Sequence, residues 1–205
     1  MTKNKDWTGN KNSVFKTLGA SNHTEEEREV NDYYATSPIA IDLLVKKVEL
    51  PKQILEPACG AGHLSIRLEE LGHDVKSYDI IDRGYGETQD FFAMTEPPFG
   101  GDFAIVTNPP FKYAKDFVLH SLELVPDGGL VCMFLKTTFA EGKQRYNEVF
   151  SISPPLKILQ FVERILCAKN GDFDYMRKHG GSAVAYSWWI WKKNYKGQTT
   201  LDWLI

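Results

Sequence analysis

The feature that most constrains this chain is a repeated switch between two hydropathy periods, strand-like runs followed by helical ones. "QILEP" (53–57) reads as a strand and "HLSIRLEEL" (63–71) as a helix. "DVKSYDI" (74–80) and "FAIVTN" (103–108) are further strands. Between 114 and 125, Ala114, Phe117, Val118, Ser121, Leu122 and Val125 recur at i, i+3, i+4, i+7, the spacing of one helical face. "GLVCMFLKT" (129–137) is a strongly apolar strand and "KQRYNEVF" (143–150) a short helix. Upstream, Ser37-Pro38 places an N-cap and a first-turn proline before "IAIDLLVKKV". Strands that alternate with helices imply an α/β fold: a mostly parallel, doubly wound sheet covered on both faces. The pattern changes near the end. "LKILQFVE" (156–163) and "AVAYSWWIWKK" (183–193) are strands joined by a loop without a clear helix, which implies an antiparallel closing pair, with "TTLDWLI" as a further strand.

At 205 residues and 42% hydrophobic the chain accommodates one domain with a real core. No apolar run approaches the roughly 20 residues of a membrane span. The start, "MTKNKDWTGNKN", has no apolar stretch after its lysines, so the expectation is a cytoplasmic chain without a signal peptide. Three cysteines without a C-x-x-C pair then read as reduced thiols, and no metal site is expected. Residues 1–30 are polar and glycine-spotted, an arm or lid, and 31–205 form a single domain. The net charge of −3 hides an asymmetry. Residues 31–135 hold 8 Lys/Arg against 16 Asp/Glu, and residues 136–200 hold 11 against 5. A basic final third on an acidic body is the footprint of a polyanion binder.

Four short stretches carry chemistry. In "LEPACGAGHL" (55–64) a strand ends at Glu56-Pro57, the small-residue loop Ala58-Cys59-Gly60-Ala61-Gly62 follows, and a helix opens near His63. Glycines there let main-chain N–H groups approach a ligand. The third glycine of a dinucleotide fingerprint is replaced by Ser65. Asp79, 23 positions after Glu56, ends the next strand beside Ile80 and suits a pair of ribose hydroxyls. Asp90-Phe91 offers an acceptor for an adenine amino group and a ring for the purine face. In "VTNPPF" a buried strand ends in Asn108-Pro109-Pro110-Phe111. Prolines can neither join a sheet ladder nor start a helix from the residue before them, so they hold that exit stiff. An adenine-type amine is a poor nucleophile because its lone pair is delocalised into the ring. The Asn108 side-chain oxygen and the Pro109 main-chain oxygen can accept both of its hydrogens and localise that pair, while Phe111 offers a face to an extruded base.

Glu56-Pro57-Ala58-Cys59-Gly60, Asp79, Asp90-Phe91 and Asn108-Pro109-Pro110-Phe111, in that order, resemble the S-adenosylmethionine-dependent amino-group methyltransferases. The likeness is strongest to the gamma-order N6-adenine DNA methyltransferases, including small phage and prophage enzymes. The resemblance implies a Rossmann-like class I fold. It also implies S-adenosylmethionine bound by Glu56, Pro57, Ala58, Gly60, Gly62, Asp79, Ile80, Asp90 and Phe91, and direct displacement by the amine without a covalent enzyme intermediate. "NDYYATSPIAIDLL" (31–44) is similar to the family's N-terminal cofactor motif, with Ala35 and Ser37 interposed. By that likeness Tyr34 and Thr36 contact the methionine carboxylate. Transfer- and ribosomal-RNA adenine enzymes and protein-glutamine enzymes share the Asn-Pro-Pro-aromatic motif, so DNA is the favoured acceptor with RNA and a glutamine carboxamide as alternatives. A non-catalytic binder of the same fold is the other class.

No large target-recognition domain fits in the chain. Candidate nucleic-acid contacts are therefore Lys136, Lys143 and Arg145 after one strand, and Lys169, Phe173, Tyr175, Arg177 and Lys178 in the basic, aromatic loop 168–182. Recognition is expected to be short, relaxed or delegated to a partner, and the residues do not bear on oligomeric state.

Overall fold

The computed structural model describes residues 34–169, 171–178 and 184–205. The arm expected at 1–30 lies outside the described residues, as do Asn170 and His179 of the basic loop.

Four strands follow the expected pattern, namely β2 (Gln53–Glu56), β3 (Asp74–Asp79), β5 (Phe103–Thr107) and β6 (Leu130–Lys136). The four are parallel to one another, with Leu55 opposite Lys76 on one side and Ile105 on the other. A two-residue strand β4 (Glu87–Thr88) borders β3. The expected closing pair is present as β7 (Lys157–Phe161) and β9 (Tyr186–Lys192), antiparallel to each other, with β9 also antiparallel to β6. The last strand, β10 (Thr200–Leu204), pairs parallel with β7, giving the order β10-β7-β9-β6-β5-β2-β3-β4.

Alternate side chains of a strand leave on opposite faces, so a sheet buried on both faces must be apolar at every position. On one face Ile54, Ala104, Val106, Phe134 and Trp188 pack with Ile41 and Leu44 of helix α1 (Ile39–Val45) and with Leu64 and Leu68 of α2 (His63–Glu70). On the other, Leu55, Ile105, Met133, Trp189 and Trp191 pack with Phe117 and Val118 of α3 (Ala114–Leu124). No described helix is long and apolar enough to cross a membrane.

Two helical expectations change in detail. Pro38 already has helical φ and ψ (−56°, −24°), and the Ala40 and Ile41 N–H groups return to the Ser37 and Pro38 carbonyls. The helix expected over 143–150 is α-helical only for α4 (Lys143–Arg145) and widens into a π turn over Tyr146–Phe150. There the Ser151 N–H reaches back five residues to Tyr146. The widening lets both Val149 and Phe150 face the sheet, Phe150 stacking on Trp189 at 5.9 Å.

The β7–β9 connection also contains more than a loop. It forms β8 (Cys167–Lys169), which pairs antiparallel with β1 (Tyr34–Thr36) as a separate two-stranded sheet, and a short helix α5 (Phe173–Lys178). Asp172 caps α5 by accepting from the Tyr175 N–H at 2.8 Å.

Trp188 ties α1 to the sheet, donating its indole N–H to the Ala40 carbonyl at 2.8 Å from a fully buried position. Trp188→Phe removes that bond and leaves a cavity, and is expected to cost about 2–3 kcal/mol in urea unfolding followed by far-ultraviolet circular dichroism. Trp203→Phe on the exposed side of β10 is expected to stay within about 0.5 kcal/mol of the parent.

Candidate active site

Because β2, β3, β5 and β6 are parallel, their carboxyl ends share one edge of the sheet. Glu56, Asp79, Asn108 and Lys136 stand at or just beyond those ends. The tertiary structure thus gathers at one edge residues that are up to 80 positions apart in the chain.

The loop after β2 is held down by Asp79. One carboxylate oxygen accepts from the Gly60 N–H at 2.8 Å and the other from the Ile81 N–H at 3.0 Å. Ionised, that carboxylate keeps further lone pairs for a ligand. Gly62 begins α2 at φ 82°, the left-handed region, and a Cβ there would lie 2.5 Å from the Tyr85 ring. Glycine is required twice over at this position, by backbone conformation and by space.

Glu56 sits under this loop rather than on its surface, at 1% exposure. The Ser65 hydroxyl donates to its carboxylate, and the Ser77 hydroxyl donates to Ser65 at 2.7 Å. The serine at the site of the missing third glycine therefore has a structural task. Burial pushes the Glu56 pKa up to about 8, against the opposing effect of the Ser65 hydrogen bonds. Pro57 is buried beside it and Ala58 is half-buried against the core. Tyr85, with its phenol reaching Ser77, Glu69 and Ser65, belongs to the same network, which sequence reading missed. The Gly84-Tyr85-Gly86 punctuation is its visible trace.

Beyond Asp79 the apolar Ile80 is 66% exposed. Asp90 caps a 3₁₀ turn (Phe91–Ala93) by accepting from the Phe92 N–H at 2.9 Å. The following ring is not presented as expected: Phe91 is 3% exposed, packed 4.9 Å from Phe117 and 4.7 Å from His120. Phe91 packs inward on α3, and the open ring is Phe92, at 42% exposure.

At the exit of β5, Asn108 makes the most specific contacts of the edge. Its amide nitrogen donates to the Tyr34 carbonyl at 3.0 Å and to the Thr36 hydroxyl at 2.9 Å, with the Cys167 sulfur 3.7 Å away. A carbonyl can only accept, so the Tyr34 contact assigns which end of the carboxamide is nitrogen. The other end, Oδ1, is buried and has no hydrogen-bond partner among the described residues. Pro110 accepts from the Tyr113 N–H at 2.8 Å, closing a turn that does not use the Pro109 carbonyl. Phe111 is half-buried, its ring 5.8 Å from Tyr186 at 27° and 4.9 Å from the Lys136 ammonium. Cys167 and Tyr186 carried no signal in the sequence.

The basic candidates separate into two groups. Arg145 is committed to its own loop: it donates to the Phe139 carbonyl at 3.0 Å and to Glu141, and stacks over the Phe139 ring. Arg177 pairs with Asp174 at 3.0 Å on an exposed face. Lys143 and Lys178 are exposed, Lys169 ends β8 opposite Tyr34, and Tyr175 is exposed on α5. Phe173 meets His63 edge-on at 5.4 Å, bringing the basic loop to the start of α2. Burial lowers the His63 pKa.

The sequence matches no protein-family model and no curated protein. Solved structures match over most of the chain. One, described as a class I S-adenosylmethionine-dependent methyltransferase from Listeria monocytogenes, is 16% identical with a TM-score of 0.55, over 94% of this chain and 71% of that one. The fold is that of the class I methyltransferases. A type I restriction-modification methyltransferase subunit from Streptococcus thermophilus matches at 12% identity and TM-score 0.54, over 80% of this chain but 45% of that one. A structure from Agrobacterium tumefaciens described as an O-methyltransferase matches at 12% and 0.54, over 81% and 86%.

Glu56 has a consequence for stability. Its folded pKa lies above the ordinary carboxyl value of 4.5, so the folded state holds a proton that the unfolded state releases. Stability drawn from this group is full below pH 4.5 and declines as pH rises towards about 8. Glu56→Gln keeps the shape and the Ser65 contact but cannot ionise. The variant's melting temperature is expected to gain on the parent's steadily from pH 5 to pH 8, by about 2–4 °C per kcal/mol of relieved burial. Scanning calorimetry across that range checks it, and a constant gap would reject it.

Proposed function

We propose that this protein is an S-adenosylmethionine-dependent methyltransferase acting on the N6 amino group of adenine in DNA. The observation that carries the reading is the Asn108 carboxamide, whose nitrogen is saturated while its buried oxygen is left without a partner. An orphaned buried acceptor costs free energy unless a ligand supplies an N–H. An amine hydrogen is such a ligand, and a neutral acceptor draws it without placing a charge beside a cationic donor. Accepting that hydrogen favours a lone pair localised on nitrogen, and the Pro109 carbonyl, left out of the neighbouring turn, is the second acceptor. The two prolines keep both oxygens from relaxing away.

The cofactor residues also fit. Main-chain groups of the Gly60–Gly62 loop, the remaining lone pairs of Asp79 for ribose hydroxyls, the exposed Ile80 and Asp90 for an adenine ring are the groups that would hold it. When bound, the cofactor supplies an electrophilic sulfonium methyl. No enzyme nucleophile is needed, in keeping with the thiols near the site: burial pushes Cys59 up to about 12 and Cys167 up to about 11, so both stay protonated. All three cysteines are free and buried, as suits the reducing cytoplasm.

DNA is favoured over other acceptors by the excess of Lys/Arg over Asp/Glu in residues 136–200 and by the restriction-modification subunit among the structural neighbours. Lys136 lies over Phe111, ready to exchange the ring for a phosphate when a base stacks there. Phe173 and Tyr175 with Lys143 and Lys178 form the further contact surface, while Arg145 is withdrawn from that role.

The test is transfer of labelled methyl from S-adenosylmethionine to DNA, RNA and protein offered in parallel, followed by digestion of the product. N6-methyldeoxyadenosine is the expected product. N6-methyladenosine or methylglutamine would move the acceptor to RNA or protein, and no labelled product at all would leave a binding protein of the same fold. Asn108→Ala is expected to lower the transfer rate about 10²–10³-fold. Cofactor affinity by calorimetry should stay within about twofold, since Asn108 is not among the groups assigned to hold it.

A further inference from the structure

A side-chain amide turns freely about its last torsion unless its neighbours prevent it, because that torsion has broad, shallow minima. For Asn108 the neighbours come from β1. Both hydrogens of the amide nitrogen have an acceptor there, the Tyr34 carbonyl at 3.0 Å and the Thr36 hydroxyl at 2.9 Å. Turning the amide over would set oxygen against the Tyr34 carbonyl, acceptor against acceptor. Thr36 is 2% exposed, which removes its hydroxyl from water and leaves it to the amide and the neighbouring Cys167 thiol.

β1 is itself fastened from outside the main sheet. Tyr34, Ala35 and Thr36 pair with Lys169, Ala168 and Cys167 of β8, and the Ser37 N–H donates to the Leu166 carbonyl at 3.0 Å. The strand that aims the carboxamide is therefore bonded to the segment that carries the basic, aromatic loop.

We propose that Thr36 is a positioning residue: with the Tyr34 carbonyl it locks the Asn108 carboxamide so that the oxygen, not the nitrogen, faces the reacting amine. This rests on the reading of Asn108 as the amine's acceptor, and it assigns Thr36 a role different from the methionine-carboxylate contact that family likeness implies. The hydroxyl accepts from the amide nitrogen at 2.9 Å and also meets the Cys167 thiol, so its bonding is met within the protein. Thr36 touches no reacting atom and acts only through Asn108.

The test uses Thr36→Val, which keeps the shape and deletes the acceptor, beside Thr36→Ser, which restores it. In the free protein the side-chain amide of Asn108, observed by nitrogen-15 NMR, should show slow hydrogen exchange for both protons. Thr36→Val should speed exchange of one of them at least tenfold, and Thr36→Ser should not. In transfer assays Thr36→Val is expected to lower kcat about 10-fold, the equivalent of about 1.4 kcal/mol, with cofactor Kd unchanged. Thr36→Ser should recover most of it. Unchanged exchange and unchanged kcat in the valine variant would overturn the proposal, and so would a rise in cofactor Kd at constant kcat, which is the mark of a cofactor contact. Asn108→Ala separates the two levels. If it leaves transfer intact, the acceptor reading itself fails. If it abolishes transfer while Thr36→Val does nothing, only the positioning role falls. Should the valine variant misfold, Thr36→Ala, which deletes the same acceptor with a smaller side chain, takes its place: faster exchange of one amide proton and a lower kcat are expected, and parental values for both would overturn the proposal.

Discussion

A parallel sheet wrapped on both faces has little room for polar side chains except where its strands end. Ile54, Val106 and Phe134 point to one layer, Leu55, Ile105 and Met133 to the other, and neither layer is open to water. Chemistry is pushed to the edges, and parallel strands send all their carboxyl ends to the same one. Asp79, Asn108 and Lys136 are neighbours on that account, although no local sequence rule relates them. The same constraint explains why the polar groups that are buried there come in bonded sets. Glu56 is tolerated beneath the loop because Ser65 and Ser77 line up behind it.

The antiparallel insertion of β9 between β6 and β7 closes the sheet and does more than extend it. Its three tryptophans face alternate sides, Trp188 into the α1 layer and Trp189 and Trp191 into the α3 layer, binding both layers to one strand. Reaching β9 from β7 requires a long connection, and within it β8 pairs with β1, whose Tyr34 and Thr36 meet Asn108. The sheet's closing device and the strap over Asn108 are thus successive parts of one stretch of chain.

Electrostatics at the edge are divided by task. Of the acidic groups, Asp79 holds the glycine loop through the Gly60 N–H, and Glu56 binds the start of α2 through Ser65. At the end of β6, Lys136 stands over the Phe111 ring. Arg145 had the right charge in the right part of the sequence, yet its donors are taken by carbonyls of the turn that precedes it. Charge counting finds the basic surface; it does not tell which cations are free to use it.

Hydropathy period alone determined the fold class, since a run such as "FAIVTN" can be buried on both faces only in a covered sheet. It also determined the antiparallel close, through "LKILQFVE" and "AVAYSWWIWKK". Stiff or punctuating residues were legible for the same reason, their limits being local: the prolines of 109–110 and the glycine at 62 act through their own φ and ψ. What only the tertiary structure decided was pairing between distant segments. β1 and β8 are three residues each, too short for any periodicity, and meet although Thr36 and Cys167 are 131 positions apart. Ser65 read as a missing glycine until Glu56 was seen beneath it, and Phe91 read as a ligand face until the core claimed it. A side chain's partner is set by where the backbone goes afterwards, and that information is not local to the residue.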